Sequence, residues 1–304
     1  MYGHIWPTRQ IGYNYEFKRQ NGHDRKVIAV DTVALVKNEG AVRQSIETGL
    51  NLLEGFRELQ SPVLLKPNIC TIDNSTGHTV TDIEVVKAVV DILLEEKKDL
   101  EIRIVESDSQ SKYADEAFEK YGYDQLTQNM QEMGYDVATV NLSHSPKRLV
   151  DFNGFYFKNP EFPNIIVDHG FFISVATAKT HSLTWITGAL KNQFGLLPEK
   201  QQSRFHSDID DIIVDLNRLV QPNLCIVDAR VGLEGWNGPK QRMLDSFILG
   251  YSPVSIDVTM ARIMGFNPEE IKHVVKCAEE GLGDMNPAVL GEAIESVMIP
   301  FEKP

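Results

Sequence analysis

Residues 176–198 read ATAKTHSLTWITGALKNQFGLLP and place Lys179, His181, Thr187, Gly188, Lys191, Asn192 and Gly195 just after the apolar run FFISV. Ammonium groups hold carboxylate or phosphate, and imidazole, with an ordinary pKa of about 6.5, gives or takes a proton near neutrality. An amine deprived of its charge by burial or by cationic neighbours attacks carbonyls or carries a cofactor. Thr187 and Gly188 would let backbone N–H groups approach a ligand, with Lys191 in the first turns of a helix beginning there. Trp185, Ile186, Leu190 and Phe194 also read as the buried face of that helix, with the lysines on its wet side. Two lysines, a histidine and an amide beside a glycine in otherwise apolar sequence favour a site.

Such a site needs elements that hold it. From Lys26 the chain reads as a strand at KVIAVDTV, a helix at NEGAVRQSIETGLNLLEGF, a strand at PVLLKPN and a helix over 81–97. A strand at EIRIVES, helical pattern between about 113 and 133, and a strand at YDVATV follow. Between about 143 and 163, Pro, Asn, Gly and aromatic residues break the periodicity and mark a boundary or an inserted hairpin. A second series holds NIIVD and FFISVA as adjacent strands, a helix over about 208–220, a strand at LCIVD and helices around 254–265 and 268–280. The order predicts an α/β fold with mostly parallel sheet flanked by helices, as two intimately packed Rossmann-like lobes or one sheet wound in two halves. The expected segments are an N-terminal arm over 1–25, a first lobe over 26–142 and a second over 143–304.

Ligands of open α/β sheets gather outside the carboxyl ends of the strands, which makes polar strand ends candidates. LLKPN offers Lys66 and Asn68, IVESDSQ offers Glu106, Ser107, Asp108 and Ser109, and IVDARVGLEGWNGP offers Asp228, Glu234 and Asn237, beside VATAKTH and LGYSP. Lys66 also reads as a lysine snorkelling to water where proline stops the strand. In TIDNSTGHTVTD, Gly77, His78 and Thr79 form a loop, and Thr81 with Glu84 three residues on makes a capping box. Asp108 either faces Lys66 or Lys191 and fixes an ammonium or orients a histidine, or closes a solvated turn. Glu234 and Asn237 sit among Gly232, Gly235, Gly238 and Pro239, in a lid-like loop or a plain β-turn. His206 lies in SRFHSDIDD, where Ser207 or Asp208 caps the next helix and Asp210 and Asp211 suit its dipole.

Composition narrows the partners. Thirty Lys and Arg against 43 Asp and Glu give a net charge of -13 with no basic block, which excludes nucleic acid and anionic membrane. An anionic ligand therefore needs a local positive site. Cys70, Cys225 and Cys277 are widely spaced and odd in number, so neither a disulfide framework nor a CxxC metal site is written, and a reducing compartment is implied. No stretch approaches the roughly 20 apolar residues of a membrane helix, and the first residues lack a signal-peptide core, so the expectation is a cytoplasmic protein. No GxGxxG, P-loop or zinc-hydrolase motif is present.

VLLKPN, AKTH, TGALKNQFGLLP, a downstream histidine, IVDARVGLEGWNGP and SPVSIDVTMARIMGF before EEGLG run in order from about residue 62 to 283. Together they resemble the family catalogued as domain of unknown function 362. Members are sometimes joined to ferredoxin-like iron-sulfur modules; this chain has no cysteine cluster, so no cluster of its own is expected. More remotely, the spacing resembles nickel-pincer lactate racemase and its relatives, in which a histidine, a cofactor-bearing lysine and a second histidine line an α/β interdomain site. His181 stands 10 residues before Lys191 and His206 stands 15 after it. That resemblance implies a transition metal or a nickel-pincer-type cofactor. The loop that carries an arginine and an aspartate in that family reads Gly77-His78-Thr79-Val80 here.

Three functions stay open. One is an enzyme moving a proton on a small carboxylate or phosphate metabolite, racemase-, epimerase- or isomerase-like, with His181 and His206 as acid and base and Lys191 attacking or carrying a cofactor. Lys66, Asn68, His78, Asp108, Lys179, Thr187, Gly188, Asn192, Glu234 and Asn237 would then surround the anion. The second is a metal-binding or iron-sulfur-partnered redox accessory protein, with His78, His181 and His206 as ligands for zinc, nickel, iron or copper and a redox partner docked on the acidic surface. The third is a non-catalytic ligand-binding module, and a homo-oligomer is compatible with each.

Overall fold

The computed structural model describes residues 29–199 and 201–304. The arm read over 1–25 lies outside the described residues. The first half runs β1 (Val33–Lys37), α1 (Val42–Leu52), β2 (Val63–Pro67), α2 (Ile83–Glu96), β3 (Ile102–Glu106), α3 (Ala114–Lys120), α4 (Tyr123–Glu132) and β4 (Val137–Asn141). A small antiparallel pair follows, β5 (Lys147–Leu149) with β6 (Glu161–Pro163), and then the one-turn α5 (Asn164–Val167). The rest comprises β7 (Phe171–His181), β8 (Trp185–Thr187), α6 (Ala189–Asn192), α7 (Ile209–Leu219), β9 (Leu224–Glu234), β10 (Lys240–Gly250), α8 (Pro253–Ile263), α9 (Lys272–Glu279), β11 (Val289–Gly291) and α10 (Ile294–Val297).

Among the described residues, one nine-stranded sheet has the order β11-β1-β10-β9-β7-β2-β3-β4, with β8 paired to β7. β4, β3, β2, β7 and β9 are mutually parallel, and β10 is antiparallel to both β9 and β1. This is a mostly parallel α/β fold flanked by helices. Segments 26–142 and 143–304 contribute to the same sheet, since β7 pairs with β2 and β1 lies between β10 and β11.

Side-chain alternation divides the core into two layers. In β7, Phe172, Ala176 and Ala178 pack with α6, α7, α8 and α9, whereas Phe171, Ile173 and Val175 pack with α1, α2, α3 and α4. α2 shows what holds such a helix. Val85, Val86, Val89, Val90, Leu93 and Leu94 recur at helical spacing and are buried. Each gains about 1.5–3 kcal/mol from leaving water, more than any difference in helix propensity.

Four local readings are corrected. Asp82, not Thr81, caps α2, its side chain accepting the Glu84 N–H at 3.0 Å, while the Thr81 hydroxyl ties Asn68 N–H to the Val175 carbonyl. NIIVD is the helical turn α5, closed by Asp168 N–H onto the Asn164 carbonyl; its apolar run is too short for periodicity to separate strand from turn. IVDARVGLEGWNGP is no lid loop, because β9 runs on to Glu234 and turns at Gly235, whose φ of 92° suits glycine, into β10. Of the run KVIAVDTV, the described part before Val33 forms a turn, and the strand occupies the five residues from Val33.

Candidate functional site

The parallel strands end on one edge, and from there the chain leaves β2 toward β3 and β7 toward β9, in opposite directions across the sheet. Such a reversal opens a crevice between the two strands. A cavity of about 300 Å³ lies there, bounded by the ends of β2, β3 and β7, by the β8–α6 turn and by the segment holding Gln202 and His206, with Trp236 of the β9–β10 hairpin also on its wall.

Its floor is a lysine cage. Lys66, 1% exposed, donates to the Glu106 carboxylate at 2.8 Å and to the Pro67 carbonyl at 2.9 Å. Glu106 also accepts from the N–H groups of Ile69 and Ser107, and Lys112 stands 3.7 Å from it while donating to the Ser107 carbonyl. Gly195 lies directly on this ion pair: a Cβ there would come within 2.6 Å of Lys66 Nζ and 2.7 Å of Glu106 Oε1. Lys179, also 1% exposed, spends all three N–H groups inside the protein, on Asn68 Oδ1 at 2.6 Å, the Thr79 carbonyl at 2.8 Å and Cys70 Sγ at 3.6 Å. Burial pushes the Lys112 and Lys179 ammoniums below their ordinary pKa, opposed by Glu106 for Lys112 and by Cys70 for Lys179. Asn192 braces the cage, its amide donating to the Lys66 carbonyl at 3.0 Å and to Ser174 Oγ at 2.9 Å.

Lys191 differs from the other three. Among the described residues its amine has no hydrogen bond and no ion pair. Burial first, and then the charge of Lys179, bring its pKa down to about 7. The turn that carries it is fixed from below by Asp257 of α8, whose carboxylate accepts the N–H of Ala189 at 2.6 Å and of Leu190 at 3.1 Å. Thr187 and Gly188 read as letting backbone N–H groups approach a ligand; the two amides that follow them are already satisfied by the protein's own carboxylate. Gly188 has a steric role instead, since a Cβ there would meet Asp257 Oδ1 at 2.2 Å and Met260 Cε at 2.6 Å. Burial raises Asp257 to about 7 against the pull of the two N–H groups.

His181 closes β7 and lines the cavity. Its Nδ1 accepts the Leu183 N–H at 3.2 Å, so the neutral ring carries its proton on Nε2. Burial, then Lys191 and further cationic neighbours, hold its pKa down at about 3. His206 stands exposed at the mouth, tilted over Phe194, and desolvation followed by Lys191 lowers it too. Thr187 lines the cavity, and its hydroxyl is sealed from solvent and has no hydrogen-bond partner among the described residues.

Lys66, Asn68, Lys179, His181, Thr187, Lys191, Asn192 and His206 thus share one cavity. His78, Asp108, Glu234 and Asn237 do not line it. His78 lies in a second cleft with Asp82, Thr177, Asp228 and Arg230. Asp108 accepts Ala114 N–H at 2.8 Å at the start of α3 and accepts from Asn141, so it acts on Lys112 of the cage only through space and not by a hydrogen bond. Glu234 pairs with Arg242 and Lys240 within the hairpin, and Asn237 accepts from Thr79 at 2.6 Å. Among the described residues no three His, Cys, Asp or Glu side chains form a metal-binding group, and His78 lies in a different cleft from His181 and His206. Sequence reasoning passed over Lys112, Cys70, Trp236 and Asp257. For Asp257 a signal existed, a lone carboxylate inside the apolar helix SPVSIDVTMARIMGF.

Fold and site together define an α/β protein with a lysine-lined crevice at the carboxyl edge of its parallel strands. A family model described as Domain of unknown function (DUF362) matches residues 63–262, and the chain belongs to that family. It is similar to the thylakoid-associated protein sll1697 of Synechocystis sp., 26% identical over 276 residues that span 85% of this chain and 81% of that protein. Among solved structures it is similar to the lactate racemase apoprotein from Thermoanaerobacterium thermosaccharolyticum, with a TM-score of 0.46 and 10% identity, over 82% of this chain and 56% of that one. Among the described residues no helix is long and apolar enough to cross a membrane.

Proposed function

We propose that the protein is an enzyme that moves a proton on a small anionic metabolite, a carboxylate or a phosphate ester, bound in the crevice between β2 and β7. The observation that carries this reading is the Lys191 amine, unpartnered among the described residues and with a pKa of about 7. Near neutrality both of its forms are populated, which is the condition for efficient general acid-base work. The charge of Lys66 and Lys112, offset chiefly by Glu106, attracts the anion, and Lys179 adds to the field without touching the ligand because its donors are used. His181 is then a neutral N–H donor that polarises a carbonyl oxygen rather than the base, and Lys191 takes the proton. A cytoplasmic protein and a water-borne substrate go with this reading.

The test is hydrogen exchange in D2O. A panel of 2-hydroxy and 2-oxo carboxylates and of sugar phosphates is incubated with the protein, and loss of the C–H signal beside the carbonyl or carbinol is followed by NMR. Exchange with one class, slowed at least about 10²-fold by Lys191→Met, supports the proposal. Exchange that Lys191→Met leaves unchanged, or none across the panel while sulfate still binds, contradicts it and favours a binding module.

A second reading rests on the same unpartnered amine, which could attach covalently to a carbonyl substrate or a cofactor. Intact mass of the protein from its native host would show an adduct that Lys191→Ala removes. An unmodified mass, together with no borohydride-trapped imine, would count against it.

A further inference from the structure

We infer that Trp236 sets the substrate class of the crevice: its indole is a platform for a flat apolar tail, and the metabolite is an aryl-substituted carboxylic acid rather than a short one. The inference rests on the anion-binding reading of that crevice and specifies what lies beyond the anionic group. Trp236 lines the cavity and is 44% exposed. Among the described residues its ring has no aromatic partner and its indole N–H no hydrogen bond. Ile69, Phe194 and Ile209, which line the cavity with it, are buried and belong to the core. An indole left uncovered on a cavity wall gains from a ring laid against it, through apolar surface removed from water and through stacking.

The turn that carries the indole is held in place. Gly235 N–H donates to Thr180 Oγ1 at 2.7 Å, and the Thr79 hydroxyl donates to Asn237 Oδ1 at 2.6 Å, so the residues on both sides of Trp236 are anchored. Thr180 immediately precedes His181, which places the turn beside the strand end whose imidazole lines the same cavity. A platform fixed before binding lowers the cost of ordering the complex. An indole face also accepts a cation. A cationic tail would share this cavity with Lys66, Lys112 and Lys191, against Glu106 as the one carboxylate among the lining residues, so a neutral ring is the tail that fits. A volume of about 300 Å³ falls within the range of about 300–1,000 Å³ usual for small-molecule sites, which leaves room for a ring beyond a three-carbon acid.

Calorimetry on the full chain with phenyllactate, lactate and sulfate, in the wild type, Trp236→Ala and Trp236→Phe, is the test. The expected result is that phenyllactate binds about tenfold more tightly than lactate, as one stacked ring allows, and competes with sulfate. Trp236→Ala should bring the two acids to nearly equal affinity while sulfate affinity stays unchanged, and Trp236→Phe, which keeps a ring, should retain most of the preference. Phenyllactate bound no more tightly than lactate, in a protein that binds sulfate, overturns the inference and leaves the anion reading standing. A preference that Trp236→Ala does not reduce does the same. Binding of none of the three anions overturns the anion reading and the inference with it.

Discussion

At Lys191 the two protonation states of one amine do different work: the ammonium holds an anion and the amine accepts a proton. Lys191→Met should therefore abolish sulfate binding in calorimetry while leaving the circular dichroism spectrum intact; unchanged binding would clear Lys191 of the role. The pH dependence follows from the sign of the shift. Because the folded pKa is lowered to about 7, sulfate affinity should fall as pH rises through that value, and exchange catalysis should rise over the same interval. Opposite slopes would contradict the assignment. Lys191 was legible in sequence because two lysines and a histidine rarely crowd an apolar run. The division of labour among the lysines was not. That Lys179 exhausts its donors on Asn68, Thr79 and Cys70, and that Lys66 is buried on Glu106 rather than snorkelling, depend on residues about 40 to 110 positions away.

The elements bring these side chains together through close contacts that sequence periodicity does not record. α6 is a single turn fixed to α8 by Asp257, and Gly188 gives that carboxylate its room. Gly188→Ala should cost about 1–3 kcal/mol by overpacking, read as a lower midpoint in thermal unfolding; an unchanged midpoint would show that the contact relaxes freely. α9 presents His273, fully buried, 3.9 Å from Asp210 of α7 and within the field of Lys191, with neither ring nitrogen hydrogen-bonded among the described residues. Burial lowers its pKa from 6.5 to about 3, so between those values the unfolded chain binds the extra proton. Stability present above pH 6.5 is lost as pH falls toward 3, and His273→Leu should flatten that loss and stabilise the protein at acidic pH, as measured by urea unfolding. A variant as acid-labile as the wild type would remove His273 from the account. Long amphipathic helices such as α2 were readable to within two residues, since six buried aliphatics repeat at one period. β10 was not, because its partner lies across a glycine turn that sequence alone presents as a loop.

For the whole molecule, the interleaving of β1 and β7 with strands of the other half means that neither half completes its own sheet. Calorimetry should show one cooperative unfolding transition; two resolved transitions would mean that the halves are stable apart. The net charge of -13 repels an incoming anion, so any attraction must come from the local concentration of lysines in the crevice, of which Lys66 and Lys112 are paired with Glu106. The mostly parallel α/β architecture was legible from the alternation of runs, while the order of strands, which decides that Lys66 and Lys191 face one cavity, arises only from pairing. The account stands or falls on the state of one amine within that cavity. Lysine labelled with ¹³C at Cε, with the Lys191 signal assigned by its loss in Lys191→Met, reports the titration directly by NMR. The account predicts a midpoint near 7 in the free protein that moves upward when sulfate is added. A midpoint at the ordinary lysine value of 10.5, unmoved by sulfate, would contradict it.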